Sequence, residues 1–298
     1  ITSLPAWKRN IAVVFQDLAL FPHLDVEANV SYSPFIRRVP KAERRKIAAE
    51  QLEAVRLEAY GKRRIHTLSG GEQQRTAIAR ALAAQPRALL LDEPFSSLDA
   101  PLRRELRRQF LTLREKSPIP CVFVTHDREE AAVLGGRIAL MSEGKIIESG
   151  NSRDMFLAPK TAFAADFFGS GMVLPCAAAG SRGPLRAVSS PFGDLVLHTS
   201  PEFDPENALV FIPRDALTPL GGGGEEKSDK AAGGSGENIE FGARFLRAVF
   251  EGERMVWECE GPGGFRFGCE TNIRRPVPDA GEAVRFSLDQ SLLRFIRP

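Results

Sequence analysis

Cysteine is scarce in this sequence: only Cys121, Cys176, Cys259 and Cys269 occur in 298 residues. None sits in a C-x-x-C pair, so neither a zinc site nor a dense disulfide framework is on offer. Reduced thiols in a cytosolic protein are the plain expectation. Long apolar runs are missing too. No stretch approaches the roughly 18 residues that cross a bilayer, so any membrane role has to come through a partner. Neither sign of charge dominates: 40 basic residues meet 38 acidic ones, a formal net charge of +2. That balance gives no reason to expect nucleic acid as a partner. No charged-then-apolar leader opens the chain, which begins at Ile1 rather than Met. The opening reads as a start in mid-domain.

What is present is ordinary globular composition, 43% hydrophobic and 26% charged, at a length that allows two domains. The first half alternates helical and strand patterns. Ala48, Leu52, Val55 and Ala59 recur on one helical face over residues 42–59, and Leu102, Leu106, Phe110 and Leu113 do the same on a basic helix after Pro101. Between the helices lie Ala88-Leu89-Leu90-Leu91 and Cys121-Val122-Phe123-Val124. Short continuous apolar runs separated by helices predict strands of a parallel sheet buried on both faces. Two further strands, Arg137 to Met141 and Lys145 to Glu148, flank the turn Ser142-Glu143-Gly144.

Around Phe167 to Pro175 the texture changes. Short β-like segments follow: Leu195 to His198, Ala208 to Ile212, Phe245 to Phe250, Met255 to Cys259 and Ala283 to Leu288. They predict a second, all-β domain, a small barrel or sandwich. The Gly-, Ser-, Lys- and Glu-rich stretch Gly221 to Gly236 predicts a flexible loop within it. The expected organisation is an α/β domain over 1–166, with a helical subdomain over about 24–80, and a β domain over 167–298.

Two segments carry chemistry. Leu89-Leu90-Leu91-Asp92-Glu93-Pro94 ends an apolar strand in two carboxylates, at the sheet edge where open α/β sheets bind ligands. One such carboxylate can hold Mg²⁺ while its neighbour polarises an attacking water. A turn or helix start explains an Asp-Glu pair equally well. Leu68-Ser69-Gly70-Gly71-Glu72-Gln73-Gln74-Arg75 sets paired glycines before a helix, where free N–H groups can meet an anion. Here too a plain reading exists, with Ser69 and Glu72 forming a capping box. The two uses are compatible, since both rely on the same helix start.

Together these segments resemble ABC-type ATPases: LSGGEQQR is similar to the signature motif, and LLLDEPFSSLD to the Walker B motif and D-loop. Val14-Phe15-Gln16-Asp17, followed by Leu20-Phe21-Pro22-His23-Leu24, resembles the Q-loop, and Val124-Thr125-His126-Asp127 the switch-histidine segment. The order of the four matches the family. The resemblance implies an ATP-hydrolysing fold of the P-loop NTPase type that uses Mg²⁺. Asp92 would be the metal partner, Gln16 would touch Mg²⁺ or the attacking water, and Glu93 would be the general base. His126 would contact the γ-phosphate and position Glu93. Ser69, Gly70, Gly71 and Gln73 would line the nucleotide held by the opposite subunit of a homodimer, and Asp99 would communicate across that dimer.

One motif of the family is absent. G-x-x-x-x-G-K-S/T occurs nowhere: Gly61-Lys62 and Gly144-Lys145 lack both the earlier glycine and the following hydroxyl, and the Gly221–Gly224 run is separated from Lys227 by two glutamates. The expectation is a chain lacking the front segment with its own phosphate loop, inactive in ATP hydrolysis alone. A true loss of nucleotide competence is the competing reading.

The residues after His126, Arg128-Glu129-Glu130-Ala131, Arg137 to Met141 and Gly144-Lys145-Ile146, resemble importer ATPases of the polyamine, sulfate, molybdate, ferric-iron and sugar group. That group appends a β domain of the transport-associated oligonucleotide-binding (TOBE) type, which has an OB-like barrel. Phe168-Gly169-Ser170 running into Val173-Leu174-Pro175 resembles its entry, and Phe211 to Leu217 more loosely one of its strand ends. The resemblance implies import of an inorganic ion or polyamine through permease subunits at the cytoplasmic face of the membrane, with a solute-binding protein acting indirectly. A non-transport ABC ATPase, and a regulatory module without hydrolysis, are the alternatives.

Overall fold

The computed structural model describes residues 3–96, 98–116, 119–169, 171–182, 185–198, 207–220, 238–252 and 254–298. The expected loop Gly221 to Gly236 lies outside them, as do Ser97 and Ser170. The chain divides into two compact units, Ile1–Leu134 and Gly135–Pro298.

In the first unit β1 (Ile11–Val14), β2 (Ala88–Asp92) and β3 (Cys121–Val124) form a parallel sheet in that order, with Val14 beside Leu91 and Asp92 beside Val124. The helices are α1 (Val26–Val30), α2 (Tyr32–Ile36), α3 (Lys41–Ala54), α4 (Gly70–Ala83), α5 (Ala100–Lys116) and α6 (Arg128–Leu134). Leu52, Ala77, Ile78, Leu89, Leu91, Phe95, Leu106 and Phe110 share one core. The α/β fold with a parallel sheet is the one the sequence led to.

Two details differ from expectation. The strands are not buried on both faces: Leu89 and Leu91 are each 1% exposed, whereas Val122 is 57% and Val124 53% exposed. Alternate residues of a strand point to opposite faces, and Val122 and Val124, with Val13 less so, are the exposed row. The helix expected over 42–59 stops at Ala54. Arg56 turns left-handed at φ 59°. The Leu57 amide donates to the Leu52 carbonyl at 2.8 Å and the Arg56 amide to the Glu53 carbonyl at 3.0 Å, which is a Schellman ending. Leu57 is thereby buried in place of Ala59, which is exposed.

The second unit opens on a hairpin of β4 (Arg137–Ser142) and β5 (Lys145–Asn151). Glu143 and Gly144, at φ 49° and 75°, supply the two left-handed residues of a type I′ turn, whose twist suits paired strands. Then come α7 (Ser152–Leu157), capped by Asn151, and α8 (Ala162–Phe168), capped by Thr161 and ended by Gly169 at φ 58°. Leu140, Met155, Ala164 and Phe168 form a small core of their own.

Ten strands follow: β6 (Gly171–Arg182), β7 (Leu185–Ser190), β8 (Gly193–His198), β9 (Ala208–Pro213), β10 (Leu217–Leu220), β11 (Ile239–Phe250), β12 (Met255–Glu260), β13 (Arg266–Thr271), β14 (Ala283–Leu288) and β15 (Arg294–Ile296). They make two five-stranded antiparallel sheets, β10-β14-β11-β12-β13 and β15-β9-β6-β7-β8. Side chains from both, including Leu174, Val188, Phe192, Phe241, Trp257 and Phe286, fill one core. This is the all-β, OB-like arrangement expected of the C-terminal part. Five of its strands, β6, β7, β10, β13 and β15, were not singled out by pattern. Gly, Pro, Arg or Glu within them blurs the alternation on which strand recognition rests.

Candidate functional site

The parallel register gathers the predicted residues at one edge of the first sheet. Gln16 follows β1 by two positions, Asp92 ends β2, Glu93 is next, and His126 follows β3 by two. Because all three strands run the same way, these are their carboxyl ends, where α/β sheets leave a crevice for ligands.

Glu93 has a positive φ of 43°, a conformation that side-chain-bearing residues rarely adopt. Its amide donates to the Val124 carbonyl at 2.9 Å, and its own carbonyl accepts from the Ser96 amide at 3.2 Å and hydroxyl at 3.0 Å. The backbone is therefore fixed on both sides while the carboxylate leaves the strand. That carboxylate meets the His126 imidazole: Nδ1 lies 2.9 Å from Glu93 Oε1. An ionised carboxylate only accepts hydrogen bonds, so Nδ1 carries the proton. The contact holds the His126 pKa above the ordinary histidine value, first by the hydrogen bond and then by the negative charge of Glu93.

Asp92 and Gln16 are exposed, and neither side chain is engaged by a protein partner among the described residues. A carboxylate and an amide oxygen free at one sheet edge are hard oxygen donors that fit Mg²⁺, which is commonly held by one or two carboxylates plus phosphate and water. Among the described residues no cluster of three or more His, Cys, Asp or Glu could hold a metal unaided.

The signature segment forms the start of α4. Ser69 caps the helix: its hydroxyl accepts from the Glu72 amide at 3.4 Å, while the Glu72 carboxylate accepts from the Ser69 amide at 2.7 Å. That last bond holds the Glu72 carboxyl below its usual pKa. Gly70 is exposed and Gly71 buried. A Cβ on Gly71 would come within 2.8 Å of the tip of the Leu102 side chain, so any larger residue there would have to push Leu102 aside where α4 meets the start of α5. Gln73 turns away from the exposed surface, its side-chain amide donating to the carbonyls of Ile65 and Leu68 at 3.3 and 3.2 Å. Asp99 caps α5 by accepting from the Leu102 amide at 2.9 Å. The helix starts carrying Ser69 and Asp99 are thus neighbours.

Three supporting residues escaped sequence reasoning. Arg80, near the end of α4, donates to the carbonyls of Leu18 and Ala19 at 2.9 and 2.6 Å. Both of those residues are left-handed, at φ 60° and 43°, so Arg80 fixes the loop just after Gln16. Asn29, fully buried, pairs with the amide and carbonyl of Phe21 at 2.9 and 3.1 Å. Arg107 is 4% exposed. It reaches Asp127 at 2.9 Å and both Glu129 and Glu130 at 3.3 Å. Arg107 follows Leu106 on the arc that buries Leu106 and Phe110, opposite the acidic Asp127-Arg128-Glu129-Glu130. That juxtaposition of charges was the available signal.

The sequence pattern of the ABC transporter family matches residues 2–96. The chain is similar to the Fe(3+) ions import ATP-binding protein FbpC of Rhizobium etli, 36% identical over 95% of this chain and 76% of that protein. It is also similar to the spermidine/putrescine import ATP-binding protein PotA of Mesorhizobium japonicum, 39% identical over 81% of this chain and 65% of that one. With FbpC of Agrobacterium fabrum it shares 45% identity over 61% of this chain and 52% of the relative. The chain thus spans 52% to 76% of the lengths of these relatives. With the Asp-Glu strand end, the paired histidine and the capped signature helix in family order, it belongs to the ATP-binding import subunits of the ABC transporter family.

Proposed function

We propose that this chain works in an ATP-hydrolysing subunit that drives import through partner permease subunits, with Glu93 as the general base. The observation that carries the reading is the Glu93–His126 contact of 2.9 Å at the carboxyl edge of the sheet. In hydrolysis Glu93 would orient a water and take its proton as the oxygen attacks the γ-phosphate. The imidazole fixes the carboxylate through Nδ1–H, and when the ring is protonated its Nε2–H can donate to the γ-phosphate as well. Asp92 and Gln16 would hold Mg²⁺, which supplies charge neutralisation for the phosphates when bound. Ser69 and the exposed Gly70 would present the α4 start to the nucleotide of a second subunit, and Asp99 lies beside that surface. Gly71 and Gln73 serve that loop by packing and by backbone hydrogen bonds.

The named cargoes of the relatives, Fe(3+) ions and spermidine/putrescine, support an inorganic ion or a polyamine as the imported solute. Among the described residues no helix is long and apolar enough to cross a membrane; the importer relatives support a subunit held at the cytoplasmic face by its permease. We place the functional boundary between the ATPase portion and a TOBE-like β domain at 166/167, close to the end of α8 and the start of β6. That boundary follows the change from helix to strand; by packing, α8 already touches the β domain, since Ala165 shares a small core with Phe211 and Ile296.

The test is steady-state ATP hydrolysis by the full-length protein with its permease. Glu93→Gln is expected to lower turnover by two or more orders of magnitude while ATP binding survives. Unchanged turnover would remove Glu93 as the base.

A further inference from the structure

The switch histidine is mostly exposed, with 73% of its side chain open to solvent, so packing does not hold it against Glu93. What holds it lies on the residues either side. Thr125 donates through Oγ1 to Glu130 at 2.7 Å and accepts from the Asp127 amide at 3.0 Å. Asp127 caps α6, its Oδ1 accepting the amides of Glu129 and Glu130 at 2.8 and 3.1 Å. Its other oxygen takes Arg103 at 3.0 Å and Arg107 at 2.9 Å. Arg107 also reaches Glu130, whose side chain is 2% exposed.

Burying an arginine and a glutamate is costly unless the geometry is satisfied. This cluster lies beside the proposed catalytic pair, where the backbone of residues 125–127 determines the reach of the imidazole. We propose that Arg107 is a positioning residue: by gripping Asp127 and Glu130 it fixes the 125–127 backbone and so sets His126 against Glu93. The proposal rests on the reading of Glu93 and His126 as the hydrolytic pair, and it extends that pair to α5, the helix that Asp99 caps. Arg103 assists from a half-exposed position. Lysine can replace Arg107 only in part, because an ammonium lacks the planar fork with which the guanidinium serves Asp127, Glu129 and Glu130.

The test reads geometry before activity. In the chain labelled with ¹⁵N-histidine, imidazole shifts above the titration range report which nitrogen carries the proton. The wild type is expected to hold His126 in the Nδ1–H form that a carboxylate at 2.9 Å demands. Glu93→Ala and Arg107→Met are both expected to return it to the Nε2–H form that free histidine favours, with Arg107→Lys in between. Arg114→Met serves as the control. It removes another α5 arginine, one that donates to the Leu134 carbonyl at 2.7 Å at the far end of α6, and it should leave the tautomer unchanged. Should Arg107→Met fail to fold by circular dichroism, Arg103→Met takes its place with a partial shift. A wild-type Nδ1–H signal that persists in folded Arg107→Met, or that Arg114→Met abolishes equally, overturns the proposal. In the full-length protein Arg107→Met should lower kcat at least tenfold with KM within about twofold, and an unchanged kcat also overturns it. If Glu93→Gln turns over normally while the tautomer follows Arg107, the hydrolytic reading has failed and the positioning has not.

Discussion

At the scale of single residues, the charge on His126 makes a pH prediction. Its pKa is raised in the folded chain by the hydrogen bond and charge of Glu93. A raised pKa means that the ion pair contributes fully below the ordinary histidine value of about 6.5. The contribution is lost as pH rises through the folded value. Urea unfolding of wild type and His126→Gln should therefore differ most in mild acid and converge on the alkaline side. The exposure of the ring keeps the difference small, and one that grows with pH would contradict the assignment.

Gly71 offers a steric test. A methyl group there meets Leu102 Cδ2 and Cδ1 at 2.8 and 3.0 Å, at the junction of α4 and α5. Gly71→Ala should lower stability by less than about 1 kcal/mol, because the contact is with the movable tip of Leu102 and alanine is the better helix former. Leu102→Ala in the same chain should recover part of that loss in the denaturation midpoint. The residue scale is also where the sequence was read furthest. Asp92, Glu93, His126 and Ser69 were legible because strand ends and helix caps are local features. Arg80, Asn29 and Arg107 act across 8 to 62 positions of chain, a pairing that no local pattern discloses.

At the scale of elements, the ending of α3 shows why boundaries are harder to read than existence. The apolar spacing runs on to Ala59, and nothing in Val55-Arg56-Leu57 announces a stop, because glycine is the usual residue at the left-handed position. Arginine sits there at φ 59°, which costs on the order of 1 kcal/mol relative to glycine. Arg56→Gly should therefore raise stability by about 0.5–1 kcal/mol, measured by chemical denaturation. A destabilised variant would mean that the guanidinium contributes more than the backbone loses. The strands of the parallel sheet were recognised as strands, yet their outer row is bare, because continuous apolar runs say nothing about which face is covered.

For the whole molecule, the thiols offer a probe of both units. Burial pushes Cys259 and Cys269 up to about 12 and Cys176 to about 11, and it raises Cys121 as well. All four are free, yet at neutral pH almost none of this sulfur is thiolate. Iodoacetamide should label the native chain slowly and all four positions readily after denaturation. Fast native labelling at Cys259 or Cys269 would mean that the β core opens easily. The α/β-then-all-β plan was legible from the change of texture near Phe167. The pairing of ten strands into two sheets was not, since register is settled by partners distant in sequence.

The bare outer row of the parallel sheet has a colloidal consequence. β1 and β3 are both edge strands among the described residues, with rows of main-chain donors and acceptors lacking a neighbouring strand, beside a strip of valine that water wets poorly. Such edges recruit further strands whenever two molecules meet. Whatever covers this row and these two edges therefore does double service, closing the sheet and denying a second copy its template.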